Sequence, residues 1–141
     1  MINTKLLELQ KEGIKLERDG TNPHFRSSYV TLNEVLAKVK PSLSKLNIVI
    51  VQTVGAEGLT TNLIDTEDGT SVWCFVPFVG ATDMQKLGGA ITYARRYSLI
   101  SLLGLEDEDD DGESASKPAF IKKPAKAKEE VIGVEEDELS L

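Results

Sequence analysis

Catalysis has few residues to draw on in this chain. His24 is the only histidine and Cys74 the only cysteine. A Ser-His or Cys-His nucleophile would have to be built on His24, and no partner stands at a suitable spacing. No glycine-rich loop ending in Lys-Ser or Lys-Thr occurs, which argues against ATP use in the manner of P-loop enzymes. What the chain does carry is a stripe of cations and rings. If residues 84–104 form one helix, Lys86, Gly89, Tyr93, Arg96 and Tyr97 fall on one side of it. Cations hold phosphates and tyrosine faces stack on bases at about 1–3 kcal/mol each, which is what single-stranded nucleic acid requires. A plainer reading of the same residues is half-buried rings with a solvated cationic rim. Arg95 points about 100° away from Arg96, so it is expected to meet a strand differently, or to pair with a carboxylate or a neighbouring subunit.

Two further features could carry chemistry. Gly88 and Gly89 sit in a helix interior at a cost of about 1 kcal/mol each relative to alanine, which suggests a close approach to the backbone. For Gly88, bordering the sheet-facing side, tight helix–sheet packing explains it. For Gly89, on the Lys86–Tyr93 side, packing and an approaching phosphate or base remain alternatives. Asp107, Asp109, Asp111 and Gly112 match the first half of an EF-hand loop, but its twelfth position, where a bidentate glutamate belongs, is Pro118. A solvated acidic run is the preferred reading. A metal-dependent nuclease using Asp107 to Asp111 is the remoter one, and neither metal nor other cofactor is expected.

These residues need a scaffold, and the chain spells one out. Residues 2–19 read as an amphipathic first helix weakened at Gly13 and ended by the turn cluster at 19–23. Residues 24–29 carry no clear element. A second helix starts at Thr31, where Thr31 and Glu34 make a capping-box pattern with a Val30–Val35 staple. It runs to about Asn47 and is expected to kink or restart at Pro41. Strands follow at 48–54, 59–66 and 70–78, the last two joined by Asp68-Gly69, a hairpin signal. Thr82 with Gln85 offers a second capping box for the long helix, which should lay Met84, Leu87, Ile91, Ala94, Ser98 and Leu102 on the sheet. Gly104 should cap it in the left-handed conformation, with Leu105 packing back on Ile100. Leu99, Ile100 and Leu103 make the final turns apolar nearly all round, so they face either another subunit or the first helix. The fold class is therefore α+β: N-terminal helices, a three-stranded antiparallel meander and a long helix on the sheet, with a core at 1–105 and an acidic tail at 106–141 whose composition predicts disorder.

Charge is divided along the same boundary. The net charge of −7 arises because residues 1–103 hold eleven basic and ten acidic side chains, while 104–141 hold five and thirteen. A near-neutral core can carry a local phosphate-binding patch although the whole chain is acidic. No apolar run reaches membrane-spanning length and no signal segment opens the chain. The expected setting is the bacterial cytoplasm, with no membrane partner, and Cys74 is expected to be a buried small residue.

The strings YVTLNEV at 29–35, PSL at 41–43 and GGAITYARRYSL at 88–99, with LG at 103–104 and DDDG at 109–112, resemble the ERF (essential recombination function) family of phage single-strand annealing proteins over roughly residues 1–112. Tyr29 stands where that family has an early tyrosine after a basic, polar segment. Gly89, Tyr93, Arg95, Arg96 and Tyr97 match its Gly-x-x-x-Tyr-x-Arg-Arg-Tyr pattern. The resemblance implies ATP-independent annealing of single-stranded DNA by ring or filament homo-oligomers during phage recombination, not enzymatic turnover. In that reading Lys86, Arg96, Arg26 and Arg95 hold phosphates. A passive single-strand-binding or accessory protein is the alternative. The ending EEDELSL at 135–141 resembles the protein-binding tips of single-strand-binding proteins, so a phage exonuclease or host single-strand-binding protein could dock there; a solvating tail is the plainer reading.

Overall fold

The computed structural model describes residues 1–22 and 27–107. One compact unit comprises Met1–Thr21 with Ser28–Glu108. Of the second grouping, Asn22–Ser27 with Asp109–Leu141, only Asn22 and Ser27 fall among the described residues. The fold is α+β, with three helices and antiparallel sheets.

Helix α1 spans Ile2–Glu12 and stops at Gly13, which takes the left-handed conformation at φ 70° and donates to Gln10 O at 3.2 Å. The expected helix through residue 19 is thus cut short. Glycine enters this conformation without a Cβ clash, so the chain turns there. It then forms strand β1, Lys15–Leu16. Strands β2, Gly20–Asn22, and β3, Ser27–Tyr29, make a two-stranded sheet in a stretch with no readable periodicity.

Helix α2, Leu32–Lys45, begins as its local signals predict. Thr31 Oγ1 accepts from Glu34 N–H at 3.1 Å, and Val30 and Val35 both enter the core. The reciprocal half of the capping box is replaced. Asp19 accepts from the Thr31 N–H at 3.0 Å and from its hydroxyl at 2.8 Å, while Glu34 takes Lys38 Nζ and the Glu17 N–H. Burial of Asp19 raises its pKa, but the two Thr31 hydrogen bonds outweigh this and hold it below the ordinary value. Helix α2 also runs through Pro41 without restarting. Proline deprives one carbonyl of its donor, and the buried Val35, Val39 and Leu43 hold the helix on both sides of it.

Strands β4 (Ile48–Val54), β5 (Gly58–Asp65) and β6 (Ser71–Pro77) form an antiparallel meander in the order β4-β5-β6, with Val51, Asn62 and Trp73 in register. Alternation sends Leu59, Thr61, Leu63 and Asp65 inward, all buried. Cys74 also faces inward but is only half-buried, and burial pushes its thiol pKa up.

Helix α3, Met84–Leu103, is capped by Asp83, whose carboxylate accepts from Lys86 N–H at 2.8 Å. The expected cap, Thr82, lies one residue too early. At the other end Gly104 is left-handed at φ 66°, with Leu105 N–H donating to Ile100 O at 3.0 Å and Gly104 N–H to Ser101 O at 3.3 Å. This is the Schellman pattern. The turn sends residues 106 and 107 back as strand β7, which pairs in parallel with β1, Lys15 opposite Glu106. The first two residues of the expected acidic tail therefore belong to the folded unit. The buried side of α3 is Ala94, Ser98, Leu99 and Leu103; Met84, expected on the sheet, is 80% exposed because the first turns project beyond it.

Candidate nucleic-acid interface

Helical spacing puts Tyr93, Arg96 and Tyr97 on one side of α3, three and four residues apart. The two rings lie 4.4 Å apart between centroids, tilted by 43°. The Arg96 guanidinium sits 5.1 Å from the Tyr93 ring centre, 5.0 Å from Tyr97 and 5.4 Å from Tyr29 of β3. Three rings therefore hold one cation through their negative faces. Tyr29 is itself set by its backing: a Cβ on Gly20 would lie 2.6 Å from its ring, so only glycine leaves room for the ring there. Tyr29 and Tyr93 are 43% and 53% exposed, which leaves the cluster open to solvent.

Arg95 is held in another way. Its Nε donates to Gln52 Oε1 of β4 at 3.0 Å. Gln52 Nε2 lies 3.0 Å from Thr61 Oγ1 and 3.2 Å from Arg95 O, and the Thr61 and Ser98 hydroxyls meet at 2.8 Å. Ser98 also reaches Ala94 O at 2.6 Å. With Thr61 and Ser98 fully buried, this chain of hydrogen bonds satisfies polar groups between sheet and helix and pins α3 in register. The helical wheel anticipated that the two arginines would diverge. The amide partner on β4 was not legible, because nothing local links Gln52 to Arg95.

The remaining candidate residues separate cleanly. Lys86 and Gly89 are exposed on the Tyr93 side of α3, and Lys86 stands about 15 Å along the axis from Arg96 at helical rise. A Cβ at Gly88 or at Gly89 would meet nothing within 4 Å. Helix–sheet packing therefore does not account for Gly88, and both glycines bare backbone to solvent. Leu99 and Leu103 are 0% and 1% exposed within the single chain and share one core with residues of α1 and α2, so the chain's own core, not a second subunit, covers them. Ile100 is partly buried against the same core. Arg26, Asp109 and Asp111 lie outside the described residues. Asp107 falls in β7, and among the described residues no group of three metal-ligating side chains gathers. No helix among them is long and apolar enough to cross a membrane.

A second ionic cluster escaped the sequence reading. Asp65, at an inward register position and 1% exposed, accepts from Lys5 Nζ at 2.8 Å, and the Met1 ammonium lies 3.5 Å from its other oxygen. Lys5 also bonds Glu67 at 2.9 Å. The hydrogen bond from Lys5 holds the Asp65 carboxyl low against the opposing effect of burial, and the two carboxylates raise the Lys5 pKa. Asp68, bonded by the Thr70 hydroxyl and N–H, is lowered to about 2. This cluster ties α1 to the β5–β6 turn.

The family model described as the ERF superfamily matches residues 2–138. The match extends past residue 112, where the resemblance read from the sequence stops, and takes in most of the acidic segment. No curated protein and no solved structure matches the chain.

Proposed function

The chain belongs to the ERF superfamily, and on that footing we propose that it binds single-stranded DNA and anneals complementary strands without ATP, as a self-associating protein of phage recombination in the host cytoplasm. The observation that carries this reading is the Arg96 guanidinium held among Tyr29, Tyr93 and Tyr97 on the exposed side of α3. Arginine presents a fork of donors that suits a phosphate, and the rings fix that fork without cancelling its charge. Lys86 extends the cationic side along the helix, and the open backbone at Gly89 lets a strand lie close between them. Phosphates held at this face leave base edges outward, where a second strand can test them. Arg95 supports the same track from the sheet side, and Arg26 supplies a further cation for phosphate. Beyond β7 the sequence is acidic, and its end is the docking point for a phage exonuclease or host single-strand-binding protein.

The test is annealing of complementary oligonucleotides without ATP, beside binding of one oligonucleotide across a salt series. Wild type should speed annealing, and its affinity should fall steeply as salt rises. Arg96→Ala and Tyr97→Ala should lose both activities. Binding without any gain in annealing rate would replace this reading with a passive single-strand-binding role, and absence of binding at low salt would overturn it altogether.

A further inference from the structure

The three-stranded sheet has two faces, and among the described residues helices cover only one. On the other face Trp73 is 63% exposed, Phe75 49%, Val49 41% and Val51 36%. Ile64 and Asn62 stand among them at the same register, opposite Val49 and Val51 on one side and opposite Ser71 and Trp73 on the other. Threonine, serine, glycine and proline fill the remaining outward positions. Large apolar side chains gathered on one open face mark an interaction surface, whereas single exposed ones do not. The face is also shaped locally: Gly58 is buried beneath the Phe75 ring, where a Cβ would come within 2.6 Å, so this ring lies flat on the sheet.

Charge identifies the occupant. None of the eleven outward positions from β4, β5 and β6 is ionisable, although 28% of the chain is charged and about three would be expected. A phosphate backbone finds no cation here, and an acidic or basic peptide finds no counter-charge. A second copy of the same face meets neither obstacle: it is uncharged, carries the same large apolar side chains and has no like-charge repulsion against itself, as an isologous contact requires. Size sets the strength. Seven-residue strands, three across, cover roughly 24 Å by 14 Å, of order 300 Å² per copy before side-chain relief is added. That falls well below the ~800 Å² per partner of a stable interface, so a contact through this face alone is weak and depends on concentration.

We infer that two copies of this chain associate reversibly through the uncovered faces of their β4-β5-β6 sheets, with Trp73 and Phe75 at the centre of the contact. This rests on the self-association in the proposed function and assigns it a surface, in place of the buried Leu99 and Leu103. The surface is distinct from the Arg96 cluster, so DNA and a second copy do not compete for it.

Trp73 is the only tryptophan and reports on this face directly. Its emission and acrylamide quenching, measured on the full chain over a concentration series beside sedimentation velocity, test the inference. The expected result is a blue shift and reduced quenching that rise in step with mass, and a V51T/F75T variant, which keeps Trp73, should need at least tenfold more protein for both. Mass that rises while Trp73 stays exposed would place the contact elsewhere and overturn the inference, as would a single mass at every concentration. A shift independent of concentration that vanishes on deleting 113–141 would make the chain's own tail the occupant. A shift seen only with added oligo(dT), at constant mass, would make it DNA. Either outcome overturns the inference. Annealing measured on the same samples separates the two readings: annealing with an exposed Trp73 rejects only the surface, and self-association without annealing rejects only the function.

Discussion

Lys5 and Arg96 are both cations held by several partners, yet they are held by opposite chemistry. Lys5 lies between the Asp65 and Glu67 carboxylates, which neutralise it and leave nothing for an outside anion. Arg96 lies among three neutral rings, and among the described residues no carboxylate pairs with it. A ring quadrupole orients a guanidinium without removing its charge, whereas a carboxylate orients and cancels at once. The contrast separates a cation that fastens the fold from one that stays available to a phosphate, and it does so by partner type rather than exposure.

Replacing Arg96 by alanine tests the contrast hardest. Single-strand affinity should fall at least tenfold, and the salt slope should shrink by about one, while the thermal midpoint barely moves. Lys5→Met should do the reverse, lowering the midpoint by a few degrees with binding unchanged, because it leaves the buried Asp65 without its main partner. Thermal melts and fluorescence-anisotropy titrations on both variants decide the matter, and equal losses in both assays for both variants would abolish the distinction.

Acid should separate the two clusters more gently. The Asp65 and Asp68 carboxyls are depressed in the folded state, Asp68 to about 2. Their stabilising contribution is therefore fully present above the ordinary carboxylate range and is lost as pH falls from about 4 toward 2. Urea midpoints measured at pH 7, 4 and 3 should decline in that window for wild type and less for Lys5→Met. The glycines come next. Alanine at Gly88 or Gly89 meets open space, so each should stabilise the helix by about 0.5–1 kcal/mol. Only Gly89→Ala should also weaken DNA binding, by a few-fold, if a strand lies against that backbone. The smallest effect belongs to Gln52→Leu, which frees Arg95 from β4; affinity should change about twofold, and a loss as large as that of Arg96→Ala would make Arg95 the principal phosphate ligand.

Much of the scaffold was legible because its signals are local. The α2 cap at Thr31, the three strands to within a residue or so at each end, the hairpin at Gly69 and the left-handed stop at Gly104 all depend on side chains a few positions apart. The divergence of Arg95 and Arg96 followed from helical geometry alone. The misreadings along the apolar stripe of α3 have another origin. Met84 fits the apolar stripe of α3, but whether a stripe is covered depends on where the sheet ends. Gly88 borders that stripe too, and faces solvent for the same reason.

By itself, then, the sequence determined the three helices and the three strands of the meander, where most of them begin and stop, and that Lys86, Tyr93, Arg96 and Tyr97 share a side, because backbone geometry and capping act over three or four residues. Tertiary structure alone decided that Tyr29 joins Arg96 across more than sixty positions, that Gln52, Thr61 and Ser98 lock α3 to the sheet, that Asp65 answers Lys5, and that no other described element covers one face of the sheet. Those pairings depend on which residues chain folding brings within hydrogen-bond or van der Waals reach, and no local rule encodes that distance.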